Sequence, residues 1–202
     1  MMKLLNIVSS IKGDASYSIQ LSNAIIESIK KVHPDTTVLT RDLAHNPFPH
    51  LEETHIQSFF TPAENHTEAH KAAIKHSNIA VAELFDTDVI VIGVPFYNFG
   101  IPSTLKSWID HICRAGITFS YADGTPKGLV TGKKVFLAVA SGGIYSEGHM
   151  TGYDFAEPYL RTTLGFLGMT DVTTFRLEGV NYPDNTDAAV AKAFGLVEAF
   201  DF

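Results

Sequence analysis

Residues 89–94 (VIVIGV) are apolar without interruption and lead directly into an aromatic-rich turn, residues 95–102 (PFYNFGIP). A short continuous apolar run bounded by turn residues reads as a strand buried on both faces, and such a strand belongs in a parallel sheet sandwiched by helices. The remainder of the chain fits that requirement. Residues 4–8 are a second short apolar run, and after a hydroxyl-rich loop Leu21, Ile25, Ile29 and Val32 recur at helical spacing. Further strands are expected at 37–40, 135–140 and 172–177, and further helices over 68–85, 105–113, 155–167 and 187–199. The helix from 105 begins near Pro102 and Ser103, which suits an N-terminus with a serine cap. Between 41 and 65, Pro47, Pro49 and Pro62 mark a long excursion.

Five strands alternating with five helices imply an α/β fold, a parallel sheet covered on both faces. Right-handed crossovers and a ligand at the ends of the first and third strands favour the strand order 2-1-3-4-5. A chain of 202 residues is long for one small domain and short for two, so a single domain over 1–202 is expected.

The net charge of −7, with 15 Lys and Arg dispersed along the chain, argues against a surface that tracks nucleic-acid phosphates. A lone cysteine, Cys113, rules out an internal disulfide. Residues 1–8 are too short an apolar run for a signal peptide, and no run approaches the ~20 residues that span a bilayer. The expectation is a soluble, cytoplasmic chain without nucleic-acid or membrane partners. His66 and His70 stand four apart, but Glu68 is displaced from the H-E-x-x-H arrangement and no third ligand lies nearby, so no metal is expected. The absence of a G-x-S-x-G elbow lowers the hydrolase reading.

Three loops follow the first, third and fourth expected strands, where an open α/β sheet holds its ligand. The first places Ser10, Ser16 and Ser18 before a helix start, where open backbone N–H groups and the helix dipole favour an anion. It contains neither G-x-x-x-x-G-K-[ST] nor G-x-G-x-x-G, so one phosphate is the economical guest; helix capping and turn formation are the alternative use of these serines. The second loop, with Phe96, Tyr97, Asn98 and Phe99, offers ring faces, backbone amides and one carboxamide but no acid, thiol or metal ligand. That inventory suits a planar cofactor that brings its own reactivity, and a flavin is the candidate. The third loop, Ser141, Gly142 and Gly143, lets backbone amides approach a ring edge because no side chain intervenes.

Taken together, these segments resemble the FMN-dependent NADH-azoreductases, which also reduce quinones and have a flavodoxin-like fold. The matching runs are SSI at 9–11, RDLA at 41–44 with Asn46 and Pro47, DVIVI at 88–92, YNF at 97–99, RAG at 114–116, GLVTGKK at 128–134, and PYL at 158–160 with LGF at 164–166. The resemblance implies that Ser10, Ser16, Tyr17 and Ser18 hold the phosphate of noncovalent FMN and that Phe96, Tyr97, Asn98 and Phe99 flank its ring. It also implies a homodimer in which Phe166 walls the partner's pocket; a core place on an apolar helix is the other reading of that residue. The third loop departs from the family pattern Ser-Arg-Gly-Gly, since Ala140 and Ser141 precede the glycines.

Larger quinone reductases of the same superfamily carry a Tyr and a His after a Gly pair. Tyr145 and His149 echo them at a shorter spacing, as groups that stabilise charge or relay a proton. The implied activity is two-electron, ping-pong reduction of quinones and azo compounds, with NADH as donor. Preference for NADH over NADPH rests on the resemblance, although Lys12 and Arg41 are available cations. A flavodoxin-type electron carrier without its own organic substrate is the alternative, and a flavin-free interaction module built on the same sheet a third.

Overall fold

The computed structural model describes residues 1–121 and 124–202. Every residue of β3 (Val89–Pro95) is buried, as an unbroken apolar strand requires. Alternate side chains leave it in opposite directions: Ile90, Ile92 and Val94 join one apolar cluster, Val89 and Val91 the other. Burying a side chain of this size contributes about 1.5–3 kcal/mol, so a double-faced strand anchors both layers at once.

β1 (Lys3–Val8) pairs with β3 on one edge and with β2 (Thr37–Asp42) on the other. Beyond β3 come β6 (Lys134–Ala140) and β7 (Asp171–Leu177), giving the parallel order β2-β1-β3-β6-β7. The expected numbering 2-1-3-4-5 is corrected in one respect. The fourth and fifth strands in chain order are the two-residue β4 (Phe119–Ser120) and β5 (Lys127–Gly128), which pair antiparallel with each other outside the main sheet. Strands that short leave no periodicity to read.

One face carries α1 (Tyr17–Val32), whose Leu21, Ile25 and Ile29 are buried, and α7 (Thr186–Glu198). The other carries α4 (Lys75–Asp86), α5 (Ser103–Ile112) and α6 (Glu157–Leu167), packed around Trp108. Ser103 is the first residue inside α5 and Pro102 its N-cap, with no side-chain capping bond, so the expected serine cap is not made.

The helix expected over 68–85 breaks at buried Ile74 into α3 (Glu68–Ala73) and α4. Within the excursion after β2 lies an unforeseen helix, α2 (Glu53–Phe60). Its capping box pairs Glu52 with His55, outside the usual Ser or Thr with Glu or Gln, and so it carries no standard start signal.

Two details shape the rim. The backbone of α6 passes so close to Gly128 that a Cβ there would lie 2.1 Å from the amide nitrogen of Gly168. At the sheet edge, the Leu177 carbonyl accepts from Ser141 N, so alternate residues of β7 face β6 while Val172 and Thr174 face outward. Arg161 occupies that outward side, its Nη1 donating to the Val172 carbonyl at 2.9 Å and its Nη2 to Thr174 Oγ1 at 3.0 Å.

Candidate functional site

The sheet order reverses between β1 and β3, and a cleft of about 350 Å³ opens at the carboxyl ends of β1, β3 and β6. Its first wall is the loop after β1. Ser10, Ser16 and Ser18 are all buried there, and the Ser16 and Ser18 hydroxyls lie 3.0 Å apart. Ser16 is the N-cap of α1 but makes no side-chain capping bond, so the first-turn amides of α1 remain open. Lys12 and Tyr17 complete this wall, with the Lys12 amide donating to Ser10 Oγ at 3.3 Å.

Pro95, Phe96 and Tyr97 form the second wall. Tyr97 and Gly100 exchange two backbone bonds, N–H to carbonyl at 3.1 and 3.0 Å, closing a two-residue turn on Asn98 and Phe99. Both central residues have positive φ, +49° and +69°, the pattern of a type I′ hairpin. Asn is at home in that conformation; Phe is not, and holding it there costs on the order of 1–3 kcal/mol. Asn98 and Phe99 are exposed at the tip, beyond the cleft lining, and the buried Tyr97 hydroxyl has no hydrogen-bond partner among the described residues.

The third wall is Ala140, Ser141 and Gly142. Here the loop after β7 runs alongside: Asn181 N donates to the Gly142 carbonyl at 3.0 Å and Gly179 N to the Gly143 carbonyl at 3.1 Å. A Cβ on Gly142 would lie 2.3 Å from Asn181 Nδ2, so that glycine admits a neighbouring carboxamide of the same chain. Asn181 and Val180 line the cleft and were not foreseen, because their place depends on pairing between loops far apart in sequence.

Tyr145 packs its ring on Phe96, centroids 4.4 Å apart, and edge-on to Phe99 at 6.3 Å. His149 is exposed on the 3-10 turn Gly148–Tyr153 and has no hydrogen bond or ring contact among the described residues. Phe166 lies on α6 against Phe119 at 4.6 Å and Tyr121 at 6.4 Å, away from this chain's own cleft lining. The structure thus brings together Ser10, Ser16, Tyr17, Ser18, Phe96, Tyr97, Ser141 and Gly142 in one cleft. Gly143 and Tyr145 stand beside it, their closest approach 3.1 Å from the Cβ that Gly143 lacks, while His149 and Phe166 stand apart.

Other reactive groups are committed elsewhere. Arg41 forms a bidentate ion pair with Glu83. Burial, with Asp110 adding to it, pushes the Cys113 thiol up to about 11, so it stays protonated and poorly nucleophilic at neutral pH. The His66 and His70 rings sit 5.8 Å apart, and His66 Nε2 lies 2.9 Å from the Thr61 carbonyl.

A family model described as flavodoxin-like fold matches residues 2–199. The FMN-dependent NADH:quinone oxidoreductase of Herminiimonas arsenicoxydans is 51% identical over 98% of this chain and 97% of its own length. That of Mesorhizobium japonicum is 46% identical over 98% and 95%. Among solved structures, an azoreductase from Bacillus anthracis superposes with a TM-score of 0.89 at 31% identity, covering 99% of this chain and all of that one.

Proposed function

This chain belongs to the flavodoxin-like family, and from that premise we propose that it is an FMN-dependent NADH:quinone oxidoreductase that also reduces azo compounds. The observation that carries the reading is the pairing of an uncapped helix N-terminus, lined by buried serines, with an aromatic wall across one cleft. A phosphate needs the first and a planar ring the second. A cleft of about 350 Å³ lies within the range of small-molecule sites, about 300–1,000 Å³.

The residues fit FMN in kind. Ser10, Ser16, Tyr17 and Ser18 would hold the phosphate, with the α1 dipole favouring its charge. Phe96, Tyr97, Asn98 and Phe99 would flank the ring, and Ser141, Gly142 and Gly143 would meet its pyrimidine edge, joined by Asn181. When bound, FMN supplies two-electron chemistry, accepting a hydride equivalent from NADH and passing it to a quinone or azo acceptor. The protein's own contribution is orientation: donors fixed in advance at the ring edge stabilise developing negative charge without reorganising. The Tyr145 ring narrows the approach to planar acceptors; His149, exposed and untethered, would reach the site only by loop movement.

The finer parts of the reading are one domain over 1–202, a cytoplasmic setting and a homodimer. Among the described residues no helix is long and apolar enough to cross a membrane. The homodimer is supported by exposed aromatics: Phe155 is 61% exposed, and its amide donates to the Phe99 carbonyl, while Phe99 also meets exposed Tyr153 at 5.7 Å. A second copy would cover this run and let Phe166 wall the neighbouring cleft.

The test is a visible spectrum of the purified chain with FMN, before and after anaerobic NADH, then with menadione or methyl red. A bound flavin that NADH bleaches and the acceptor restores is expected. A flavin that NADH leaves oxidised would remove the reductase assignment, and reduction only through a partner reductase would make the chain an electron carrier.

A further inference from the structure

The segment that carries Tyr145 is fastened by a charge cluster outside the cleft. Glu178, at the end of β7, accepts from the Tyr145 amide at 3.0 Å through Oε1 and from the Ser146 hydroxyl at 2.5 Å through Oε2. Arg176 Nη1 donates to the same Glu178 Oε1 at 3.0 Å, so the carboxylate is fixed from both sides. The other branch of that guanidinium, Nη2, reaches Asp154 and Glu157. Asp154 in turn accepts from the Ala156 and Glu157 amides at 2.9 and 3.1 Å, which sets the start of α6. One guanidinium therefore ties down both ends of the stretch from Tyr145 to Asp154, the stretch whose rings pack, tilted, against Phe96 and Phe99.

The cluster is largely shielded from water, with side-chain exposures of 15% for Arg176, 10% for Glu178 and 6% for Asp154. Charge-assisted hydrogen bonds in such a setting are strong and directional, and breaking one leaves a shielded charge unpaired. Arg176 alone makes four hydrogen bonds to the carboxylates of Asp154, Glu157 and Glu178, yet none of these four residues enters the cleft lining. Glu157 is the point where the cluster joins the edge of the sheet, accepting from Thr174 at 2.6 Å and Arg161 at 2.7 Å.

We propose that Glu178, held by Arg176, is a positioning residue that sets the Tyr145 ring over the aromatic wall and so determines how acceptors seat. The proposal rests on the cleft being the site of the reaction, but its latch is testable without that chemistry. Amide hydrogen exchange on the chain alone, free of flavin and nicotinamide, reads the latch. Glu178→Ala is expected to speed exchange at 144–147 about tenfold, and Glu178→Gln, which still accepts from the Tyr145 amide, no more than about threefold. Ser146→Ala, at an exposed side chain, gives a smaller increase in the same place should Glu178→Ala fail to fold.

In the flavin-loaded enzyme, Glu178→Ala should raise the KM for menadione about tenfold while kcat and FMN content stay within about twofold, and Glu178→Gln should recover most of the loss. Adding Glu178→Ala to Tyr145→Ala should change KM less than about twofold, because the ring it positions is gone. Unchanged exchange at 144–147, or effects of the two substitutions that multiply, overturns the proposal. A wild-type chain that binds FMN but oxidises no NADH removes the oxidoreductase assignment instead, with the exchange result still deciding the latch.

Discussion

Phe99 holds a conformation that a glycine would adopt freely, and the ring it carries meets Tyr145 and Tyr153. Strain kept in place by surrounding structure marks a residue retained for something other than stability. Phe99→Gly is expected to leave the melting temperature unchanged or raise it, because relief of about 1 kcal/mol or more offsets the lost ring contacts, while FMN binding weakens. Calorimetry beside a flavin titration reads both; a marked drop in melting temperature would show that the turn is not strained.

Gly142 makes the opposite kind of demand. Gly142→Ala forces the Asn181 carboxamide aside, and the expected result is a folded protein that binds FMN about tenfold more weakly. The serines of the first loop were readable in sequence because hydroxyls before a helix have a local meaning. Asn181 and Glu178 were not, since each gains its role from a loop more than thirty residues away, brought near only by the β6–β7 pairing.

At the scale of elements, apolar periodicity exposed the inner strands of the main sheet and the long helices, because each buries at least one face; the edge strand β2, exposed or half-buried throughout, was marked only by its short run. Elements held by particular side chains escaped periodicity, and α2 is the clearest case. The excursion that contains α2 docks on α5 through His111, which is fully buried, lies 2.9 Å from the Pro49 carbonyl through Nε2 and has its ring 5.3 Å from His55. Burial, reinforced by His55 and His76 and opposed by the Pro49 bond and Asp110, holds the His111 pKa below its ordinary 6.5. The unfolded chain therefore takes up a proton first, and the stability this residue contributes is complete above about pH 6.5 and declines as pH falls through the folded value. Urea midpoints measured from pH 7.5 to 5 should fall, and His111→Asn should flatten that slope.

Another element-scale expectation concerns the crossing of β5 and α6. Gly128→Ala should destabilise the protein by about 1–3 kcal/mol, since backbone has to move to admit one methyl group. Trp108, the only tryptophan and fully buried, reports that loss by fluorescence.

For the molecule as a whole, the sequence indicated the layers and the ligand end of the sheet, because both follow from which strands are apolar on two sides. The proposal that a second copy covers the exposed aromatics came only through resemblance, since a surface of that kind would have no periodicity of its own. Phe155→Ser is expected to shift sedimentation from dimer toward monomer and to weaken FMN retention with it; a variant that stays dimeric would move the interface away from Phe99 and Tyr153.

The placement of Arg161 along β7 has a consequence for life at high concentration. A bare outer strand is an invitation for another chain to zip on, and here a guanidinium already occupies the first carbonyl such a guest would seek. Its removal should appear as turbidity on prolonged warming, well before any loss of turnover.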